Sequence, residues 1–454
     1  MSLPSHDHHD HHDHLGISAA LGWLEIEGVA RLVERPFVIV DRRSGTIMSV
    51  HAGAPDPEHR PALIHDLGHT LLVPGFVNAH SHAFQRRIRG LTHRRASGDP
   101  SSFWSWRQAM YAAANALDSE GVYAQTRACF AEMLARGITC VGEFHYLHHD
   151  PEGRPYADPN ELSEQVIRAA DEVGIRLVLL DVYYARAGID HPGPLPEQRR
   201  FCDGSIDAYL RRLDDLRSRH PGLRLGVTPH SVRAVRAAEL GLLAAYADTH
   251  DLPIHSHVSE QPLENQQCHA EHGRTPTQVF ADAGCLARAH AFTAVHAIHV
   301  SAGDRALLAN QQVCACPSTE ADLGDGIVPA REFLAGGTTL ALGSDSNAII
   351  DLVQEARMLE MHERLRNQAR IILHDEEGRV APTLVAAATT GGARALGRPE
   401  LGRLGVGSPF DAAAFDLDHP MLAGVPAASA LDALMLAGSA EPITQVWVGG
   451  RRRS

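Results

Sequence analysis

The chain has no lysine. All 41 basic residues among its 454 are arginine. That absence removes several chemistries at once. There can be no Schiff-base lysine, no P-loop lysine on a nucleotide phosphate, and no carboxylated lysine bridging two metals. Cysteine is scarce as well, with seven residues and no CxxC pair. An odd count without that spacing argues against a zinc or disulfide framework and favours buried thiols in a reducing compartment. Cys314 and Cys316 alternate and are expected to face one side of a strand. No apolar run is long enough to span a bilayer. No basic segment leading into an apolar one opens the sequence, so no secretory signal is expected and the cytoplasm is the default. The formal net charge is −14, which argues against non-specific nucleic-acid binding. The GxGxxG, P-loop, HExxH, GxSxG and HxE…PCxxC motifs are all missing.

Histidine, in contrast, is abundant, with 30 residues. Some of it sits in SHDHHDHHDH, residues 5–14. That stretch reads as a tag or a metal-sequestering tail, and residues 1–15 are set apart as a disordered segment. Residues 24–50 alternate apolar and polar, as short antiparallel strands do. From about residue 70, apolar runs alternate with Ala-rich helical segments. The runs are LLVPGFVNA, ITCVGEF, RLVLLDV, LRLGVTP, LPIHSHV, AFTAVHA, VCACP and TLALGSD. Eight apolar strands with helices between them predict an α/β chain with a (β/α)8 barrel over residues 71–399. GVGSPFDAAAFDL and ITQVWVGG read as strands again. Residues 16–70 and 400–454 are therefore expected to pair as a small β-rich domain.

The polar residues fall where such a barrel would use them. Run one ends in His80-Ser81-His82, and run two in Glu143-Phe144-His145-Tyr146. Run four ends in His230, with Arg233 close behind. Run five carries His255 and His257, followed by Glu260. Run six ends in His296 and run eight in Asp345. Active sites of barrels lie at the C-terminal strand ends. Residues i and i+2 of a strand share a face, so His80 and His82 can turn to one ion, with His257 and Asp345 reaching the same point. Three imidazoles and a carboxylate suit zinc with one position left for water. Each piece alone has a plainer reading: an HxH by chance, a capping Asp, a helix-start Glu260, a solvated Arg233 or a core Tyr146. The ordered set over four strands is the specific signal.

That ordered set resembles the amidohydrolase superfamily. The absence of lysine, and His230 after strand four, place the resemblance in its mononuclear deaminase branch. The segments NAHSHAFQR, SFWSWRQAMY, EFHYLHH, TPHSVRAV, PSTEADLGDGI and LGSDS resemble the formimidoylglutamate deiminases from about residue 70 to beyond 390. Asn347 departs, standing where the family has histidine. The resemblance implies a distorted (β/α)8 barrel beside a small β-sandwich domain formed by both termini. It implies one Zn2+ per chain on His80, His82, His257 and Asp345, and a homodimer acting on a small molecule. The implied reaction is hydrolysis of N-formimino-L-glutamate to N-formyl-L-glutamate and ammonia. Asp345 would take a proton from water, Glu260 would carry it to the leaving nitrogen, and His296 would orient the water and stabilise the tetrahedral intermediate. Gln85, Arg107, Tyr146, His230 and Arg233 match the substrate contacts, with the two arginines suited to two carboxylates.

Three alternatives stay open on the residues alone. One is a deaminase of a ring amidine such as a purine. Another is cleavage of the other C–N bond, releasing formamide. The last is a metal-binding protein whose histidine-rich segment, rather than the barrel, holds the ion.

Overall fold

In a computed structural model, residues 13–94 and 103–453 are described. Residues 5–12 of the histidine-rich stretch, and Ser102 of SFWSWRQAMY, lie outside them.

The eight apolar runs become the eight strands of one parallel sheet. They are β1 (Phe76–Ser81), β2 (Ile138–His145), β3 (Arg176–Tyr183), β4 (Arg224–Pro229), β5 (Ile254–Val258), β6 (Phe292–His296), β7 (Gln312–Ala315) and β8 (Thr339–Leu342). Each pairs with its sequence neighbour in register order. Helices such as Ser119–Ala135, Glu161–Val173, Ile206–Arg219 and Ala237–Thr249 alternate with the strands and cover them. The strands are buried along nearly their whole length, as continuous apolar sequence predicts for a sheet covered on both faces.

The barrel is distorted. Between β1 and β8 the ladder shrinks to a single parallel bridge, Ser81 with Asp345. Two backbone bonds hold that seam, His82 N–H to the Asp345 carbonyl at 2.9 Å and Asp345 N–H to the His80 carbonyl at 3.0 Å. The seam therefore runs through the expected metal ligands. Gly343 permits it: a Cβ there would lie 2.8 Å from His80 Cβ and 3.0 Å from Cys316 Sγ.

The run LLVPGFVNA divides at Gly75. Its first half, Thr70–Pro74, leaves the barrel and pairs antiparallel with Ala412–Asp416. Ile443–Val448 pairs on the far side of Ala412–Asp416. With Leu21–Ile26, Val29–Glu34 and Arg451–Arg452 these make a six-stranded sheet. His14–Ser18, Pro36–Asp41, Ile47–Ala52 and Leu63–Asp66 make a four-stranded one. Ile17, Leu24, Val38, Val40, Leu72, Phe410 and Trp447 form the core they share, the inner faces of a β-sandwich. His14 is thus a strand residue, so the segment set apart at residues 1–15 overlaps this sheet at its end.

Candidate active site

The C-terminal strand ends converge on a cleft. His82, Gln85, Arg107, Tyr146, His230, Arg233, His257, Glu260, His296 and Asp345 all line it. His80, the remaining site residue expected from the sequence, is fully buried beneath them. Positions as far apart in sequence as 80 and 345 are brought together by barrel closure alone.

His80, His82, His257 and Asp345 each offer a ligand atom, all within 4.8 Å of one another. His82 Nδ1 lies 3.0 Å from the Phe144 carbonyl, and His257 Nδ1 lies 3.0 Å from the His230 carbonyl. A carbonyl only accepts, so both Nδ1 atoms carry the proton and both Nε2 atoms present lone pairs. The Nε2 atoms of His80 and His82 lie 3.4 and 3.3 Å from Asp345 Oδ1. Neither ring nitrogen of His80 has a protein hydrogen-bond partner, although the side chain is fully buried. Such an orphan costs about 1–3 kcal/mol unless something else satisfies it. Burial lowers the His80 imidazole to about 4, lowers His82, and pushes His257 well below the ordinary value, helped there by neighbouring His230. All three stay neutral, the form that binds metal. Burial pushes the Asp345 carboxyl up, but the His80 contact and the charge of His296 outweigh it and hold it below the usual range. Three neutral imidazoles and one carboxylate fit a zinc ion.

His255 shares the face of His257 but is tied elsewhere. Its Nε2 meets the Ala395 carbonyl at 2.7 Å, so it packs deeper in the barrel. The two members of that HSH pair thus part company because a helix end reaches one of them.

His296 is held by a residue that sequence reasoning assigned no role. Glu320 Oε1 lies 3.2 Å from His296 Nδ1 and accepts the Cys316 N–H at 2.8 Å. The other ring nitrogen lies 3.7 Å from both Glu260 and Asp345. Burial lowers His296, but the Glu320 hydrogen bond and the three carboxylates overcome it and raise the ring to about 10. The signal for Glu320 was present: it stands in PSTEADLGDGI, just past strand seven, a strand with no polar end assigned. Tyr184, just past strand three, was missed in the same way and lines the cleft.

Arg233 and Glu260 were given separate tasks, yet they touch. Arg233 Nη2 lies 2.6 Å from Glu260 Oε2. Glu264, pushed up by burial, stands 3.9 Å from Arg233 Nε and accepts the Glu260 N–H at 3.1 Å. Gln85 donates to Tyr146 Oη at 3.0 Å, while its own Oε1 is buried without a partner. Arg107 stacks on Trp104 and Tyr111 and donates to the Ala187 carbonyl at 3.3 Å.

The backbone here is strained. Ser259, His296, Ala297, Asp345 and Asn347 all have positive φ, from 44° to 70°, which costs non-glycine residues roughly 1–2 kcal/mol each. Asn347 fixes part of this geometry. Its amide donates to Ser81 Oγ and to the Asp345 carbonyl, both at 3.1 Å, and its oxygen accepts from Ser344 Oγ at 2.6 Å. Glu143 braces the other side, accepting from Ser81 Oγ at 2.7 Å and Ala83 N–H at 2.6 Å.

Fold and site together define a metal-dependent hydrolase built on barrel strand ends. The chain belongs to the amidohydrolase family, whose model matches residues 71–453. It is 42% identical over 386 residues to the formimidoylglutamate deiminase of Pseudomonas aeruginosa, covering 84% of each chain. The resemblance read from the motifs is borne out by that identity. It is 31% identical to a 5-methylthioadenosine/S-adenosylhomocysteine deaminase of Halobacterium salinarum, over 86% of this chain and 81% of the relative. Among solved structures, an amidohydrolase from Brucella melitensis superposes with a TM-score of 0.86 at 34% identity, over 96% of this chain and 94% of that one. A zinc-bound adenosine deaminase from Xanthomonas campestris gives 0.80 at 25%, over 96% and 92%.

Proposed function

We propose that this enzyme hydrolyses N-formimino-L-glutamate to N-formyl-L-glutamate and ammonia, a step of histidine degradation. The 42% identity to a formimidoylglutamate deiminase supports the substrate. The observation that carries the chemistry is the convergence of four metal-donor atoms in a cleft that also holds two arginines.

One zinc ion per chain would be held by His80, His82, His257 and Asp345, and when bound it polarises the reacting carbon and acidifies water. The chain's own groups then divide the proton work. The Asp345 carboxylate accepts a proton from the attacking water. As oxygen adds to the formimino carbon, Glu260 carries that proton on to the leaving nitrogen; the hydroxyl proton of the tetrahedral adduct follows through Asp345, and ammonia departs as the carbonyl forms. His296, fixed through Glu320, orients the water with Nε2. Gln85 Oε1, buried and unpartnered, suits an N–H of the amidine. Tyr146 and His230 line the same space, and Arg107 and Arg233 suit the two carboxylates. The contact with Glu260 couples the last of these to catalysis: a carboxylate drawing on Arg233 would loosen that ion pair and free Glu260 to move a proton. We take the enzyme to work as a homodimer in the cytoplasm.

The test is ammonia release from N-formimino-L-glutamate by zinc-loaded protein, with the product identified by mass. N-formylglutamate plus ammonia is the expected outcome. Glutamate plus formamide would mean the other C–N bond breaks. Turnover of purines with none of the linear substrate would sink the reading and favour a ring-amidine deaminase.

A further inference from the structure

Gln198 lies on the short 3-10 turn Pro196–Phe201 and is fully buried. Its amide orientation is fixed by chemistry. The Leu195 N–H, which can only donate, meets Oε1 at 2.9 Å. Nε2 must therefore point the other way, where it donates to Tyr111 Oη at 2.7 Å and Tyr184 Oη at 2.9 Å. Tyr111 Oη accepts a second hydrogen bond from Arg107 Nε.

The lone pairs dictate where the phenolic protons go. A phenol oxygen accepts at most two hydrogen bonds and donates one. Tyr111 already accepts from Gln198 and Arg107, so a Tyr184 proton turned toward it competes with two other donors. No other acceptor for the Tyr184 proton is found among the described residues. Tyr111 can give its own proton only to Tyr184 or to the cleft. Both rings line that cleft beside Arg107. Burial also pushes the Tyr184 phenol well above its ordinary value, so it keeps its proton.

We propose that Gln198 is a positioning residue that turns Tyr184, with Tyr111, into hydrogen-bond donors for the substrate carboxylate held by Arg107. The three side chains would form an end of the cleft that selects a group accepting at every oxygen. A carboxylate satisfies them all, whereas a carboxamide brings donors of its own and leaves some unmet. The proposal rests on the dicarboxylate substrate proposed for this site.

The experiment compares the unaltered enzyme with Tyr184→Phe and Gln198→Glu on three substrates: N-formimino-L-glutamate and its α- and γ-monoamides. Tyr184→Phe removes one oxygen and keeps the ring. Gln198→Glu keeps the shape but only accepts, so it captures both phenolic protons. Each variant should raise KM for N-formimino-L-glutamate about tenfold with kcat little changed. Each should leave KM for one monoamide unchanged, so discrimination against it collapses about tenfold. An unchanged KM, or parallel losses on all three substrates, would overturn the proposal, since a merely structural role gives the latter. If the unaltered enzyme did not turn over N-formimino-L-glutamate, the functional reading would fail separately. Calorimetry with N-formyl-L-glutamate then decides this one: about tenfold weaker binding by Tyr184→Phe supports it. Equal affinity, or no binding to either protein, ends it.

Discussion

Two clusters of buried histidines lie close to strand β2, and they do opposite things. His80, His82 and His257 have ring centroids 4.7–5.6 Å apart. His145, His148 and His149 are nearly as crowded, with consecutive centroids 5.7 and 6.2 Å apart. Burial keeps both sets neutral, with His80 lowered to about 4 and His145 and His148 to about 3. The difference is the charge beside them. The first set faces the Asp345 carboxylate, and among the described residues no arginine pairs with that carboxylate. The second stands beside Arg212, whose guanidinium is clamped by Asp181 at 2.9 Å and Asp203 at 2.6 Å. Two carboxylates already have their cation there, and a second cation would be repelled. His148 Nε2 instead meets the Val182 carbonyl at 2.8 Å. Crowding and burial of imidazoles therefore do not define a metal site. A carboxylate that no arginine clamps, with imidazole lone pairs turned toward it, does.

The largest effect should come from removing a ligand. His80→Ala is expected to lose both bound zinc and turnover, at least about a thousandfold in kcat. Glu260→Gln should retain the zinc and still lose turnover, by roughly 10² to 10⁴. Metal analysis and kcat on the same preparations check both. Near-normal rates in Glu260→Gln would remove it from the proton path.

Much of this contrast was legible in the sequence, for a reason. Strand ends carrying His80, His82, His257, His296 and Asp345 are marked by polar residues closing apolar runs, a pattern that does not depend on packing. The pairing of Ala412–Asp416 with Thr70–Pro74 was legible only in outline, because the break at Gly75 interrupts no hydrophobicity. What sequence could not reveal is which neighbour a polar group meets. Nothing local distinguishes His255, tied to Ala395, from His257. The contact of Arg233 with Glu260 joins the segments after β4 and β5, and that of Glu320 with His296 joins the helix Pro317–Leu323 to the end of β6. Glu320 and Tyr184 were overlooked because each follows a strand by only a residue or a turn and has no motif of its own.

The second cluster can be broken at its cation. Arg212→Met would leave Asp181 and Asp203 buried without their partner, a loss of about 3 kcal/mol in unfolding free energy. Because the Arg212 charge helps lower His148 after burial itself, that ring should also titrate closer to its ordinary value. Denaturant unfolding and histidine NMR read the two effects. Unchanged stability would mean that water already reaches the pair and that the contrast with the metal cluster was overdrawn.

The smallest effect is the pH dependence of stability, and its sign follows from the same burial. His145 and His148 titrate at about 3 in the folded chain, against roughly 6.5 when unfolded. Below pH 6.5 the unfolded chain binds protons that the folded chain refuses, so stability falls as pH falls. Each such histidine contributes a slope of up to about 1.4 kcal/mol per pH unit between pH 6 and pH 4. His148→Gln can still donate to the Val182 carbonyl but cannot titrate. It should flatten the slope of the zinc-free protein by close to one proton while leaving zinc content unchanged. The metal cluster responds differently, because protons and zinc compete for the same Nε2 lone pairs. Zinc-loaded protein should thus show a steeper acid transition than zinc-free protein, and His148→Gln should lower both slopes equally. If it lowered only the zinc-loaded slope, the two histidine clusters would be coupled rather than separate.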